Sequence, residues 1–297
     1  MIQTPKISHP ITEKILNSRP SALSMFKDLI GSGMRSPGKS LTKTSYALYG
    51  QVPDPKALSH YNKVCGFKSL TNVPVTWPHV MAFPLHIKLI THPGFPYPLA
   101  GLVHLKNCIK QYRRLSADEA LDIHCTLREG EATSKGKTFD IVTEIHSGGR
   151  LVWEETSTNL YRVKATQEKN APDKQKKFKK LPHYPESVEF DVPADQGRQY
   201  AKVSGDFNPI HISAISAKLF GFKAAIVHGM WSNARVLAEL DANLPEAFTQ
   251  TTEFKLPLLL PNTVALSWQH KANTIDFLLT DKLRSRPFIE GSISPLG

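Results

Sequence analysis

The sequence predicts an α+β protein built from two similar halves, each with one long apolar helix followed by an antiparallel sheet. Two apolar segments, residues 75–90 and 230–240, have the composition of buried helices. Each is followed by runs that are typical of strands. A faint internal repeat relates the halves at one constant offset, which pairs Thr138 with Thr274, Asp140 with Asp276, Arg150 with Arg286, Glu154 with Glu290 and Leu160 with Leu296.

Length and composition favour one large or two ordinary globular domains. The chain has 297 residues, of which 40% are hydrophobic and 21% charged, so a packed core is feasible. No apolar run approaches the roughly 18–20 residues of a membrane-spanning helix, and the first residues lack a secretory signal. Cys65, Cys108 and Cys125 form neither an even set nor a closely spaced pair. We therefore exclude fibrous, disulfide-rich and integral-membrane classes and expect a cytoplasmic, reducing compartment.

The first half, residues 1–161, begins its regular pattern with the apolar helix at 75–90. Pro78 suits the first turn of this helix, whereas Pro84 is expected to kink or break it. Strand-like runs follow at 99–115 and 120–129. Two further β-rich runs flank Ser147-Gly148-Gly149, which predicts a hairpin.

The second half, residues 181–297, starts with an alternating strand pattern at 187–193. Helical patterning covers 214–240 and is interrupted at Gly221. Three strand-like runs follow, at 254–261, 263–270 and 274–293, and the prolines of the first place it at an edge or a bend.

A basic segment, residues 162–180, separates the two halves. It contains eight basic residues against two acidic ones, within a chain whose net charge is +11. With few aliphatic residues, it is predicted to be an exposed linker. The alternative is attraction of a polyanion such as nucleic acid, an acidic carrier protein or the phosphates of coenzyme A. Nucleic acid is not expected as a partner because Phe178 is the single stacking residue inside the run.

The residues that point to chemistry lie between Gly205 and His211. Gly205 and Pro209 favour a tight turn, across which the tips of Asp206 and His211 can converge on one small site. A carboxylate and an imidazole can together hold a water molecule, withdraw its proton and return a proton elsewhere, as hydration of a carbon–carbon double bond requires. Asn208 is a candidate to orient the carboxylate or the turn.

A second candidate element begins near His228-Gly229-Met230. A helix starting there would present unpaired backbone N–H groups and the positive end of its dipole. Gly229 would let a ligand approach the backbone closely, so its N–H could stabilise an enolate-like oxyanion on a thioester carbonyl.

The segment 200–230 resembles the MaoC-like family of (R)-specific enoyl-CoA hydratases and dehydratases. The matching residues are Tyr200, Ser204-Gly205-Asp206, Asn208-Pro209-Ile210-His211, Ala217, Phe220-Gly221 and His228-Gly229-Met230. The resemblance implies that Asp206 and His211 are the catalytic pair, that the Gly229 amide lies in the oxyanion hole and that Asn208 supports them. It also implies a double hot-dog fold, in which each unit wraps an antiparallel sheet around a long helix.

The first half has no such catalytic run, so we expect it to contribute fold and pairing surface. The resemblance implies reversible hydration of trans-2-enoyl thioesters to (R)-3-hydroxyacyl thioesters, on coenzyme A or acyl carrier protein. No metal or other cofactor is expected, because the thioester itself acidifies the α position. A monomer or a homodimer would be compatible with two units in one chain.

Other interpretations remain open at this point. Asp206 and His211 could belong to a capped turn with a surface histidine, and Gly229 could serve packing alone. His79 and His86, on the apolar 75–90 segment, are expected to be core or interface residues. At the level of function, the alternatives are a non-catalytic binder of acyl thioesters, a thioesterase on the same fold, or a nucleic-acid-binding protein that uses the 162–180 run.

Overall fold

The computed structural model describes residues 12–33, 38, 40–41, 43–68, 72–99, 101–162 and 181–296. The N-terminal unit contains the elements β1 (Thr12–Ile15), α1 (Ala22–Gly33), β2 (Thr44–Gln51), α2 (Pro55–Cys65), α3 (Trp77–Ile90), β3 (Leu102–Gln111), β4 (Leu121–Thr133), β5 (Gly136–Ser147) and β6 (Arg150–Arg162).

The C-terminal unit repeats this plan. Its elements are β7 (Glu186–Val192), α4 (Gln196–Ser204), a 3-10 turn (Pro209–His211), α5 (Ala214–Lys218), α6 (Gly229–Leu240), a second 3-10 turn (Asp241–Asn243), β8 (Phe248–Phe254), β9 (Asn262–Lys271), β10 (Thr274–Asp281) and β11 (Pro287–Pro295).

All eleven described strands form one sheet, in the order β1-β2-β4-β5-β6-β3-β8-β11-β10-β9-β7. The N-terminal order β2-β4-β5-β6-β3 has the same connectivity as the C-terminal order β7-β9-β10-β11-β8. The two halves join where β3 and β8 pair antiparallel, with Cys108 opposite Thr251. The fold is therefore a double hot dog, as the sequence predicted. The residues paired by the internal repeat fall in equivalent strands, β5 with β10 and β6 with β11, except that Arg286 and Leu296 lie one residue outside β11.

The two central helices are buried in one continuous hydrophobic core. Val80 and Leu85 of α3 and Ala234 and Leu237 of α6 belong to this core, together with strand residues from both units. Among the described residues, no helix has the length and apolar character to cross a membrane. The division at 1–161, 162–180 and 181–297 stays a prediction, because the linker beyond Arg162 lies outside the described residues.

The structure interrupts two of the predicted runs: residues 219–228, between α5 and α6, are not helical, and 274–293 contains the two strands β10 and β11 with a turn between them. Two further details of the predicted elements were wrong. Helix α3 runs unbroken through Pro84. This proline leaves the Val80 carbonyl without its helical donor, and the guanidinium of Arg19 donates to that carbonyl at 3.0 Å instead.

The predicted strand at 254–261 is the other error. The strand β8 precedes this segment and ends at Phe254. Residues 258–260 instead form hydrogen bonds with the segment before α6: Val227 N–H donates to the Leu258 carbonyl at 2.9 Å, and Leu260 N–H to the Ala225 carbonyl at 2.9 Å. Pro257 and Pro261 lack the N–H groups that a regular ladder needs.

A buried ion pair connects α3 to the sheet of the N-terminal unit. His79 Nδ1 donates to the two carboxylate oxygens of Glu155 at 2.8 and 2.9 Å, and Asn107 Nδ2 donates to Oε1 at 2.6 Å. Burial alone would raise the pKa of Glu155, but the charge and hydrogen bond of His79 outweigh it and lower this pKa to about 2. Burial alone would lower the pKa of His79, and Glu155 outweighs that effect and raises it. Glu155 is therefore ionised at neutral pH, and its charge favours the protonated form of His79.

We predict that Glu155→Gln destabilises the fold by about 3–5 kcal/mol, because it removes one partner of a buried, hydrogen-bonded pair. The matched control is Glu154→Gln on the exposed side of β6, which removes a surface pair with Lys110 and is expected to cost under about 1 kcal/mol. The measurement is the free energy of unfolding in urea at pH 7.

The same experiment at acid pH tests the linkage. The stabilisation from Glu155 is fully present above its unfolded-state pKa near 4.5 and is lost as the pH falls towards about 2. The difference between wild type and Glu155→Gln should therefore shrink over this interval. An equal cost for the two variants at pH 7 would contradict a charged buried pair.

Candidate active site

The candidate site begins where helix α4 ends. Gly205 has φ of +81°, and its N–H donates to the Ala201 carbonyl at 2.9 Å, which closes the helix with a left-handed residue. Glycine takes this conformation without the steric penalty of a side chain. The chain therefore reverses immediately before Asp206.

Asp206 is held by the backbone of the turn that follows. Asn208 N–H donates to Asp206 Oδ1 at 3.1 Å, and the Asp206 N–H donates to Ser204 Oγ at 3.2 Å. The carboxylate keeps 30% of its side-chain surface exposed, so it can be reached from solvent. The side chain of Asn208 caps the 3-10 turn by accepting from Ile210 N–H at 3.3 Å. Asn208 thus supports the turn, and its contact with substrate stays a prediction.

His211 is buried, and a hydrogen bond fixes its ring to the segment that precedes α6. Its Nδ1 lies 2.8 Å from the Ile226 carbonyl oxygen, which can only accept, so Nδ1 carries the proton. Burial lowers the pKa of His211, against the smaller raising effects of Asp206 and the Ile226 carbonyl. The ring is therefore neutral at neutral pH, and Nε2 is left as a hydrogen-bond acceptor.

His228 is a site residue for which the sequence analysis assigned no role. Its Nε2 donates to the backbone carbonyl of Asp206 at 2.9 Å, and its ring stacks on His211 with 3.6 Å between centroids. Burial, and then the neighbouring His211, lower the pKa of His228 to about 3. The 3.7 Å approach of Nε2 to Asp206 Oδ2 is therefore no ion pair at neutral pH. In the sequence, the one indication of a role for His228 was its position directly before Gly229.

The structure brings Asp206, His211 and His228 together. One side-chain oxygen or nitrogen of each lies within 4.8 Å of the others. A carboxylate oxygen and the unprotonated Nε2 of His211 can accept the two hydrogens of one water molecule. The same three groups have the donor types of a divalent-metal site, and the expectation that none is needed stays a prediction.

Gly229 is the first residue of α6, so its N–H has no intrahelical acceptor. A Cβ at this position would lie 2.8 Å from the ring of Phe254, a contact that only glycine avoids. The preceding strand-like segment is pinned on both sides, because Ile226 N–H donates to the Ile210 carbonyl at 3.1 Å while Val227 bonds to Leu258. The start of α6 is thereby fixed beside the turn that carries His211.

The N-terminal unit also contributes to the surroundings of the site. Met25 of α1 and Phe83 of α3 lie beside Gly205. Asp206 and His79 are close enough to interact electrostatically, since Asp206 is among the groups that raise the pKa of His79. The site is therefore at the boundary between the two units, although its predicted chemical groups all belong to the second.

We predict that both stacked histidines have a pKa below 6.5 in the folded protein, and that the pKa of His228 is lowered the further, to about 3. In an NMR titration of the ring protons, His228 should titrate near pH 3 and His211 below 6.5, whereas both should return to about 6.5 in urea. Asp206→Asn should lower the His211 midpoint further, because the carboxylate favours the charged ring. Folded-state midpoints at or above 6.5 would contradict this arrangement.

Comparisons with known proteins agree with this fold and motif. Residues 167–283 match the family described as the MaoC like domain. The chain is 31% identical over 243 residues to the 3-hydroxyacyl-thioester dehydratase X of Mycobacterium tuberculosis. The aligned region covers 82% of this chain and 86% of that protein.

Solved structures extend the similarity. The crystal structure of HtdX from Mycobacterium tuberculosis superposes with a TM-score of 0.74 and 28% identity over 85% of this chain and 100% of that chain. A MaoC-like dehydratase from Phytophthora capsici shares the fold, with a TM-score of 0.68 and 18% identity over 85% of this chain and 95% of that chain. With this similarity along most of its length, the chain belongs to the MaoC-like dehydratase family.

Proposed function

We propose that the protein catalyses the reversible hydration of trans-2-enoyl thioesters to 3-hydroxyacyl thioesters, with Asp206 and His211 as the catalytic pair. The observation that carries this proposal is the approach of the Asp206 carboxylate to the neutral His211 imidazole, each held by backbone hydrogen bonds. Membership of the family supports the reaction class. The (R) configuration of the product follows from that membership as an expectation.

In the proposed hydration, both acceptors bind the same water molecule. Asp206 is the main base: it accepts a proton from the water as the oxygen attacks C3 of the enoyl group. The electrons of the double bond move towards the thioester carbonyl, and C2 receives a proton from the Asp206–His211 pair. The sum is addition of H and OH across the double bond, and dehydration follows the same steps in reverse.

The negative charge that develops on the thioester oxygen needs a donor that is already in place. The N–H of Gly229 and the positive end of the α6 dipole supply one without rearrangement. The proposed reaction uses these donors and the Asp206–His211 pair, and it needs no further cofactor. The thioester would be carried by coenzyme A or by acyl carrier protein, both of which are anionic and suit a chain of net charge +11.

We predict that Asp206→Asn and His211→Ala each lower kcat by about 10²–10⁴-fold, the usual contribution of a positioned acid or base. The assay is the loss of enoyl-thioester absorbance with crotonyl-CoA. Asp195→Asn and His270→Ala, which change the same residue types outside the site, should keep wild-type rates. Wild-type turnover by either site variant would refute the assignment, and release of free thiol would indicate a thioesterase.

The role of the Gly229 N–H can be separated from that of its missing side chain. Gly229→Ala and Gly229→Pro introduce the same Cβ beside Phe254, but proline alone removes the N–H, and it is tolerated at the first helical position. We predict that Gly229→Pro has a kcat about 10²–10³-fold below that of Gly229→Ala, the usual loss for one oxyanion donor. Equal rates for the two variants would exclude this N–H as a donor.

A further inference from the structure

An exposed apolar surface follows the candidate site directly. We define the 207–223 surface by Phe207, Ile215, Lys218, Leu219, Phe220 and Lys223, all of which are exposed. Ile215 and Leu219 keep 80% and 83% of their surface accessible. Large apolar side chains grouped in this way mark an interaction site more often than isolated ones do.

The 207–223 surface is held in place by the same turn that carries His211. Ser216 Oγ donates to the Pro209 carbonyl at 2.6 Å, and Ser213 caps α5 by accepting from Ser216 N–H at 3.0 Å. Ala217, on the opposite side of α5, is fully buried. The exposed side chains of α5 therefore project from an anchored element, only a few residues after Asp206.

The charged residues in and next to this surface along the chain are mostly basic. Between residues 196 and 238 the single acidic residue is Asp206, against the basic residues Arg198, Lys202, Lys218, Lys223 and Arg235. Lys202, Lys218 and Lys223 form no ion pair with any residue that the structure describes. An acidic partner would be attracted at this face, and its association would be accelerated at low salt.

We propose that the 207–223 surface docks an acidic acyl carrier protein, which presents the enoyl thioester to Asp206 and His211 on its phosphopantetheine arm. This proposal rests on the proposed function and selects one of its two carriers. The phosphates of coenzyme A would satisfy the lysines but leave Ile215 and Leu219 in water. A protein carrier can cover both the apolar and the basic residues, as interfaces with an apolar centre and a charged rim do.

A second copy of this chain fits the surface less well. Two copies that met through the same face would bring the same unpaired lysines together, and like charges oppose association. The carrier protein and the second copy therefore differ in a measurable way, which is the effect of salt. Raising the ionic strength should weaken the binding of an acidic carrier protein, whereas it should reduce the repulsion between two copies of this chain.

The chain offers a matched pair of dipeptides for the test. Lys218-Leu219 lies in the docking surface, and Lys282-Leu283 lies in the turn between β10 and β11, where Leu283 is 84% exposed. The variants K218E/L219S and K282E/L283S thus make the same chemical change at two exposed places. Each is assayed with crotonyl-acyl carrier protein, crotonyl-CoA and crotonyl-pantetheine.

We expect kcat/KM of the wild type to be at least tenfold higher with the carrier protein than with pantetheine, and to fall as salt rises. K218E/L219S should lower the carrier-protein value about tenfold or more, mainly through KM, and far more than the pantetheine value. K282E/L283S should match the wild type. An equal loss on all three substrates, or no preference for the carrier protein, would overturn the proposal, as would a loss confined to crotonyl-CoA.

Binding of fluorescently labelled carrier protein separates this proposal from the reaction itself. Should no substrate be turned over, the proposed function fails, while docking is still tested by affinity. Weakened binding by K218E/L219S relative to K282E/L283S would support the surface. Equal affinity of the two variants would reject it, and a salt-induced dimer that buries the surface would assign it to a second copy.

Discussion

The arrangement of the candidate site depends on backbone carbonyls that fix the two stacked imidazoles. The Ile226 carbonyl holds Nδ1 of His211, and the Asp206 carbonyl holds Nε2 of His228. Because a carbonyl can only accept, each ring is committed to one tautomer. Burial then keeps both rings neutral, so His211 retains an acceptor beside the carboxylate of Asp206. Without these two hydrogen bonds, neither the orientation nor the tautomer of the two imidazoles relative to the Asp206 carboxylate would be fixed.

These carbonyls are in place because of how the C-terminal unit is built. The turn after Gly205 carries Asp206 and His211, and the segment 225–227 lies between that turn and the irregular stretch 258–260. Pro257 and Pro261 flank this stretch and keep it out of the ladder, so its carbonyl and N–H groups bond to the segment before α6 instead. The N-terminal unit supplies β3, which completes the sheet next to β8, and the charged pair His79–Glu155 that secures α3.

The sequence predicted the parts that follow from local patterns. Alternation and apolar runs located the central helices and most strands, and the run from Gly205 to His211 located the turn with its carboxylate and imidazole. Pro84 and the strand assigned to 254–261 were misjudged because the outcome depends on distant partners: Arg19 for the first, and Ala225 and Val227 for the second. The role of His228 and the charge pairing of His79 with Glu155 likewise required the folded arrangement, since 76 residues separate the latter two in sequence.

The most direct test of the proposed mechanism is a crystal structure of the Asp206→Asn variant with a bound trans-2-enoyl thioester. The account predicts that C3 of the enoyl group lies over a water molecule held between residue 206 and Nε2 of His211. It also predicts that the thioester oxygen accepts a hydrogen bond from the Gly229 N–H. A thioester bound with its carbonyl away from the start of α6, or with C3 out of reach of both side chains, would contradict it.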